Sequence, residues 1–226
     1  VPAPEVLAGA LGKEEYKEMH KAISRDCITL VKYKDRDVLP ITPERYKRIM
    51  IVHVKGAESG MGMLMKAMGM GGGKNPAEML KERLCEKGFD AFIYESPLDA
   101  MKKQIAAGEK PNINLYFAGK NAIDDFVSGM DLVITLCDVS SGRPSFGLSK
   151  GGGEIPWYVF ELPVVVIGCG QPTMLADVPQ ARTYINTYDA KPATFDALVD
   201  DLMAGPDAFK GRDPIDSFCG LFDARL

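Results

Sequence analysis

The stretch Pro163-Val-Val-Val-Ile-Gly-Cys-Gly-Gln-Pro172 decides the fold of this 226-residue chain. The residues from Val164 to Ile167 are all β-branched, and no polar side chain interrupts them, which predicts a strand buried on both faces. Sheets with two covered faces are usually parallel and carry helices on each side. The glycines and proline that follow require a turn at the carboxyl end of this strand, where open α/β sheets place their binding crevices.

Further strands and helices alternate along the rest of the chain. This alternation predicts an α/β fold with a mostly parallel sheet flanked by helices on both faces, a three-layer αβα sandwich. We expect one domain over residues 1–226, in which 1–40 form a linker helix and the first strand and 206–226 a loop-rich tail. Strands are predicted at 27–33, 48–54, 89–94, 131–137 and 182–186, and helices at 13–26, 75–87, 97–107, 122–128, 155–160 and 194–203.

Composition excludes several classes of function. The net charge is −4 and the isoelectric point is about 5.3, and no Lys/Arg stripe is present, so we expect no nucleic-acid partner. No apolar run approaches the roughly 20 residues that cross a bilayer, so we expect no membrane partner. The first residues, Val1-Pro-Ala-Pro, lack the features of a signal peptide, and we expect the chain to be cut from a longer one.

Cysteines and histidines give no reactive pattern. The five cysteines are scattered without a C-x-x-C pair, which predicts buried free thiols and no metal site. Free thiols are more usual in the reducing cytoplasm, which weakly favours a cytoplasmic location, and the sequence gives no other sign of the compartment. Only His20 and His53 are present, and both fall in apolar patterns, so we expect packed, hydrogen-bonded side chains.

Three anchors along the chain carry a family resemblance. The anchors are Ala22-Ile-Ser-Arg-Asp-Cys-Ile-Thr-Leu-Val-Lys32 with Leu39-Pro40, then Glu161-Leu-Pro-Val-Val-Val-Ile167 with Gly170-Gln-Pro172, and finally Ala176-Asp-Val-Pro179 with Thr183-Tyr-Ile-Asn-Thr-Tyr188. In order and spacing they resemble the C-terminal domain of family 3 glycoside hydrolases, and most closely its bacterial β-N-acetylhexosaminidase branch.

This resemblance implies a two-domain parent enzyme. Its preceding (β/α)8-type barrel would carry the nucleophilic Asp and, in this branch, the His that moves the proton. The barrel motifs do not occur in residues 1–226. The resemblance therefore implies a domain that is non-catalytic by itself, with no catalytic residue and no cofactor of its own. The parent would hydrolyse β-linked amino sugars in glycans or peptidoglycan fragments, with a sugar specificity that this domain does not determine.

The Gly/Met-rich segment 56–74 could bind a nucleotide cofactor or pack against a partner. It ends in Gly71-Gly-Gly-Lys74, but Met68 and Asn75 stand where a phosphate-binding loop needs Gly and Ser/Thr, so no nucleotide site is predicted. Its methionines suit an irregular apolar contact. That contact would be the barrel domain of the parent, a second copy in a homodimer, or this chain's own sheet.

The candidate site residues follow the predicted strands. Because parallel strands end at one edge, we expect loops there to border a substrate cleft or a domain interface. These candidates are Glu95, Asp138, Glu154, Gly170, Gln171 and Pro172.

One alternative comes from another class: a free-standing, flavodoxin-like module that binds a small anionic ligand at the same strand ends. The hydrolase-domain interpretation, in contrast, predicts an exposed apolar patch near the helix at 13–26.

Overall fold

The computed structural model describes residues 13–34, 37–55, 75–95, 97–110, 128–138 and 162–215. Its strands are β1 (Thr29–Tyr33), β2 (Arg48–Lys55), β3 (Asp90–Ile93), β4 (Leu132–Asp138), β5 (Val164–Gly168) and β6 (Thr183–Asn186). Its helices are α1 (Glu14–Cys27), α2 (Pro76–Glu86), α3 (Pro97–Ala106) and α4 (Pro192–Ala204), with 3-10 turns at Pro172–Asp177 and Pro206–Ala208. The helices predicted at 122–128 and 155–160 lie largely or wholly outside the described residues.

The six strands form one sheet in the order β1-β6-β5-β4-β2-β3. Every pairing is parallel except that of β1 with β6, which is antiparallel. The predicted α/β fold with a mostly parallel sheet flanked by helices is therefore confirmed. The antiparallel strand β1 lies at the edge of the sheet, where β6 is its neighbour.

Central strands β4 and β5 are buried on both faces, as the run of β-branched residues predicts. In β4, Leu132, Ile134 and Leu136 belong to one hydrophobic cluster. Val133 and Cys137, which alternate with them, belong to a second cluster. Since successive side chains of a strand point to opposite faces, the sheet has a core on each side.

Two helices, α2 and α4, contribute to the first core. Asn75 caps α2 by accepting a hydrogen bond from the N–H of Ala77 over 3.1 Å, and Pro76 occupies the first turn. Gly88, with a φ of 92°, follows the helix where the sequence predicts a stop. From α4, Phe195 and Leu198 are fully buried in the same cluster. The second core is covered, within the described residues, by side chains of the 3-10 turn Pro172–Asp177.

Helix α1 packs against α4 and leaves its apolar side exposed. The exposure of Tyr16, Met19 and Ile23 agrees with the apolar patch that the hydrolase-domain interpretation predicts near this helix. His20 is also exposed, and Ser24 is the buried residue. The prediction of a packed His20 is therefore wrong. Arg25, next to Ser24, reaches the fully buried Asp201 of α4, with Nη2 and Oδ1 3.3 Å apart. Ser24 and Arg25 therefore lie on the side of α1 that meets the domain, and the apolar stripe lies on the other side.

Candidate functional site

The carboxyl ends of the parallel strands meet at one edge of the sheet, which we call the rim. Lys55 of β2 pairs in register with Asp138 of β4, and Gly168 of β5 pairs with Asn186 of β6. Because β1 is antiparallel, its first residue also lies at the rim, opposite Asn186. The end of α1 and the carboxyl ends of β2, β4, β5 and β6 therefore border one surface.

A histidine and a carboxylate meet at this rim. The Nε2 atom of His53 lies 3.6 Å from Oδ2 of Asp138. The His53 side chain is only 6% exposed, and its Nε2 has no hydrogen-bond partner among the described residues, whereas Asp138 is 31% exposed. The pair thus joins a buried imidazole to a carboxylate that reaches solvent. The sequence predicts a packed His53 but not this neighbour, because β2 and β4 are far apart along the chain.

The two buried thiols near the rim, Cys137 and Cys169, are poor nucleophiles at neutral pH. Cys137 and Cys169 are buried, as predicted, whereas Cys27 and Cys85 are exposed, contrary to the expectation of buried thiols. Burial raises the pKa of Cys169 to about 12, despite an opposing hydrogen bond from Thr187. Burial also raises the pKa of the Cys137 thiol. Because the thiolate is the reactive species, these two side chains are structural.

A second carboxylate at the rim is fully occupied by local contacts. Asp189 accepts hydrogen bonds from the hydroxyl of Thr194 and from the N–H of Lys191, and the Lys191 ammonium lies 3.1 Å away. Burial opposes ionisation, but these donors prevail and lower the pKa of Asp189. Asp189 therefore stabilises the start of α4 and does not offer a base to a ligand.

The predicted candidates occupy different environments. Glu95 follows β3 and forms an exposed ion pair with Lys103 of α3, 2.5 Å apart, a kind of contact worth at most about 1 kcal/mol. Three candidates, Gly170, Gln171 and Pro172, form a turn after β5, in which Gly170 is half-buried and Gln171 is exposed. The carbonyl of Pro172 accepts a hydrogen bond from the amide of Asn186 over 3.5 Å.

The structure brings Glu95, Asp138 and the turn Gly170–Gln171–Pro172 to one edge of the sheet. Glu154 and segment 56–74 lie outside the described residues. Among the residues described, no group of three or more His, Cys, Asp or Glu side chains could hold a metal ion. None of the helices in the described ranges has both the length and the apolar character that a bilayer crossing requires.

Comparison with known proteins finds similarity to parts of carbohydrate-active enzymes. A β-N-acetylglucosaminidase/β-glucosidase of Cellulomonas fimi is 29% identical over 223 residues, which is 97% of this chain and 35% of that enzyme. Among solved structures, the β-glucoside phosphorylase BglX matches 94% of this chain and 33% of its own, with a TM-score of 0.66 and 27% identity. The resemblance to the C-terminal domain of family 3 glycoside hydrolases is thereby confirmed.

A further solved structure shares the fold of this chain. The fold recurs in a family 3 β-N-acetylglucosaminidase of Paenibacillus, at a TM-score of 0.55 and 14% identity over 90% of this chain and 33% of that enzyme. The domain therefore spans about a third of the length of the relatives it matches. No protein-family profile matches the chain.

Proposed function

We propose that this chain is the accessory C-terminal domain of a family 3 glycoside hydrolase of the β-N-acetylhexosaminidase type. One observation carries the proposal: nearly the whole chain aligns with only 35% of a β-N-acetylglucosaminidase/β-glucosidase. The remaining two thirds of such an enzyme are then the place for the catalytic barrel. In this scheme the barrel provides the nucleophilic Asp and the proton-carrying His, and it packs against this domain.

The composition of the rim supports an accessory role. Retaining glycosidases need two carboxyl groups about 5–5.5 Å apart, and inverting ones about 6.5–9.5 Å. At the described rim, Asp189 is engaged by α4 and Glu95 by Lys103. Asp138 is the carboxylate that combines partial exposure with a central strand. We propose that Asp138 and the turn at Gly170–Pro172 border the sugar cleft or the interface with the barrel. Glu95 and Glu154 are weaker candidates for the same role.

The experiment is an assay of the purified 226-residue chain on nitrophenyl β-glycosides of N-acetylglucosamine and glucose. We expect no release of nitrophenol above a buffer blank, with a complete family 3 enzyme as the positive control. Turnover by the chain that disappears in Asp138→Asn or Glu95→Gln would overturn the proposal.

A second candidate activity for the parent is phosphorolysis, in which phosphate replaces water as the acceptor. It is favoured by the 27% identity to an enzyme named a β-glucoside phosphorylase. In the longer polypeptide, phosphate would then raise the rate of glycoside cleavage and yield a sugar 1-phosphate. Hydrolysis at a rate independent of phosphate would exclude this candidate.

The alternative of a free-standing anion-binding module predicts a higher Tm of the isolated chain with phosphate or a nucleotide.

A further inference from the structure

Two neighbouring polar groups at the rim have no hydrogen-bond partner among the described residues. The Nε2 atom of His53 is buried and makes no hydrogen bond, and the whole side chain is only 6% exposed. The Asp138 carboxylate, whose Oδ2 lies 3.6 Å from this nitrogen, is 31% exposed and accepts no hydrogen bond from a described residue. Because buried polar groups are nearly always hydrogen-bonded, this pair is the part of the rim that calls for an explanation.

The pair lies beside the turn that follows β5. The register of β2 with β4 places His53 and Asp138 on the same face of the sheet, the face that carries the first core. The N–H of Cys169 donates a hydrogen bond over 2.9 Å to the carbonyl of the β4 residue just before Asp138. The next residues form the turn Gly170–Pro172, so the exposed Gln171 belongs to the same stretch of the rim.

The chemistry of these side chains selects the class of ligand. A carboxylate only accepts hydrogen bonds, whereas the Gln171 amide both donates and accepts them. The negative charge of Asp138 disfavours phosphate or another anion at this position. No third described residue joins His53 and Asp138 to form a metal site. The arrangement therefore suits a neutral ligand that carries several hydroxyl groups, as a sugar unit does.

We propose that Asp138 and Gln171 bind hydroxyl groups of one sugar unit, and that His53 is the positioning residue that orients the Asp138 carboxylate. An approach of about 0.7 Å brings Nε2 and Oδ2 to the usual hydrogen-bond distance, at which a proton on Nε2 is donated to Oδ2. The other oxygen, Oδ1, then accepts a hydrogen bond from the sugar. A buried group behind a ligand-binding side chain fixes its geometry in this way.

This inference rests on the proposed function, which supplies the sugar as the ligand. The two fail separately, because the accessory role is tested by turnover and the site is tested by binding. Since two side chains of the isolated chain contact the sugar, we expect a dissociation constant in the millimolar range.

Histidine NMR of the 226-residue chain tests where a sugar binds. The chain has two histidines, and the exposed His20 on α1 serves as the internal reference. When the methyl β-glycosides of N-acetylglucosamine and glucose are added, the ring signals of His53 should shift and those of His20 should not. Phosphate and arginine, at constant pH and ionic strength, are the anionic and cationic probes, and neither should shift His53. A His53 signal that responds to neither sugar, or to phosphate or arginine instead, overturns the proposal.

Variants with little change of shape test the two contacts with the sugar. In Asp138→Asn the dissociation constant should rise by about 10- to 100-fold, because a hydrogen bond to a charged group is lost. In Gln171→Ala it should rise by about 3- to 10-fold. The matched control is Asp90→Asn, which neutralises an exposed carboxylate at the start of β3, on the opposite edge of the sheet. An unchanged affinity in Asp138→Asn or in Gln171→Ala overturns the proposal, as does an equal loss in the control.

Two substitutions of His53 separate positioning from packing. The amide of His53→Gln keeps a donor near Asp138, whereas His53→Leu fills a similar volume without one. We expect His53→Gln to bind the sugar within about 3-fold of the wild type and His53→Leu to bind about 10-fold more weakly. Ligand-observed NMR gives the affinities, and melting temperatures show whether each variant folds. Equal affinities in the two variants overturn the positioning role of His53, and the Asp138→Asn measurement decides the site if His53→Leu does not fold.

Discussion

Replacing Gly168 with alanine tests how closely the end of β5 packs against β6. An added Cβ would lie 2.8 Å from Oδ1 of Asn186 and closer still to the hydroxyl of Tyr184. Both side chains are buried, and the Tyr184 hydroxyl donates a hydrogen bond to Asn186 over 3.0 Å. The φ angle of Gly168 is not in the left-handed region. Space, and not backbone conformation, therefore requires glycine here.

The expected loss of stability follows from two costs. Forcing a methyl group into a packed core costs about 1–3 kcal/mol. Moving the phenol away leaves buried polar groups without their partner, which costs about 1–3 kcal/mol more. Taking about 3 kcal/mol for Gly168→Ala, and about 2–4 °C per kcal/mol for a chain of this size, the melting temperature should fall by roughly 6–12 °C.

Thermal unfolding followed by circular dichroism would compare four proteins: the wild type, Gly168→Ala, Tyr184→Phe and the double variant. Removing only the hydroxyl in Tyr184→Phe should cost about 1 kcal/mol. In the double variant the methyl group occupies the space of the missing hydroxyl, so it should melt above Gly168→Ala. A Gly168→Ala protein that melts like the wild type would refute this reasoning, and so would additive losses in the double variant.

Three further predictions concern buried or crowded groups. Burial raises the pKa of Asp201 above 3.8, so this carboxyl holds its proton more tightly in the folded state than in the unfolded state. The contribution of Asp201 to the free energy of unfolding is therefore highest below the unfolded pKa and is lost as pH rises through the folded pKa. Asp201→Asn should lose this slope when melting is measured from about pH 4 to about pH 7, and an unchanged slope would assign it to another group. Cys85 should react with an aromatic disulfide reagent in the native protein, whereas Cys169 should react only after unfolding; native labelling of Cys169 would contradict its burial. Gly211→Ala would place a Cβ 2.5 and 2.6 Å from two backbone carbonyl oxygens where α1 meets β1, and should lower stability by about 3 kcal/mol; a neutral effect in urea unfolding would show that residues 209–215 can move away.

Much of the architecture follows from local sequence. The run Val164–Ile167 predicts a doubly buried strand because a strand covered on both faces needs no polar alternation, and the structure agrees. Asn75, Pro76 and Gly88 predict the limits of α2 through capping and a positive φ. Each of these signals acts between residues that are a few positions apart, so its effect does not depend on how the rest of the chain folds.

The parts that depend on distant pairings could not be predicted. The direction of β1 is set by β6, which lies at the other end of the chain. The approach of His53 to Asp138 requires that β2 and β4 be neighbours, although the sequence places β3 between them. The sequence shows the apolar side of α1, but it does not show that Arg25 meets Asp201 of α4, because the two residues are distant along the chain.

The pairing of the first strand with the last also bears on how the chain is made. Thr29 pairs with Asn186 of β6, so β1 lacks this neighbouring strand until β6 has been synthesised. Contacts between such distant residues carry a large loop-closure cost and slow folding. The β2–β3 pair, in contrast, joins residues about 40 apart and can form early. Products truncated before β6 should therefore leave the edge of β5 and the whole of β1 open to association with other chains, which makes the residues from Thr183 onward decisive for solubility during synthesis.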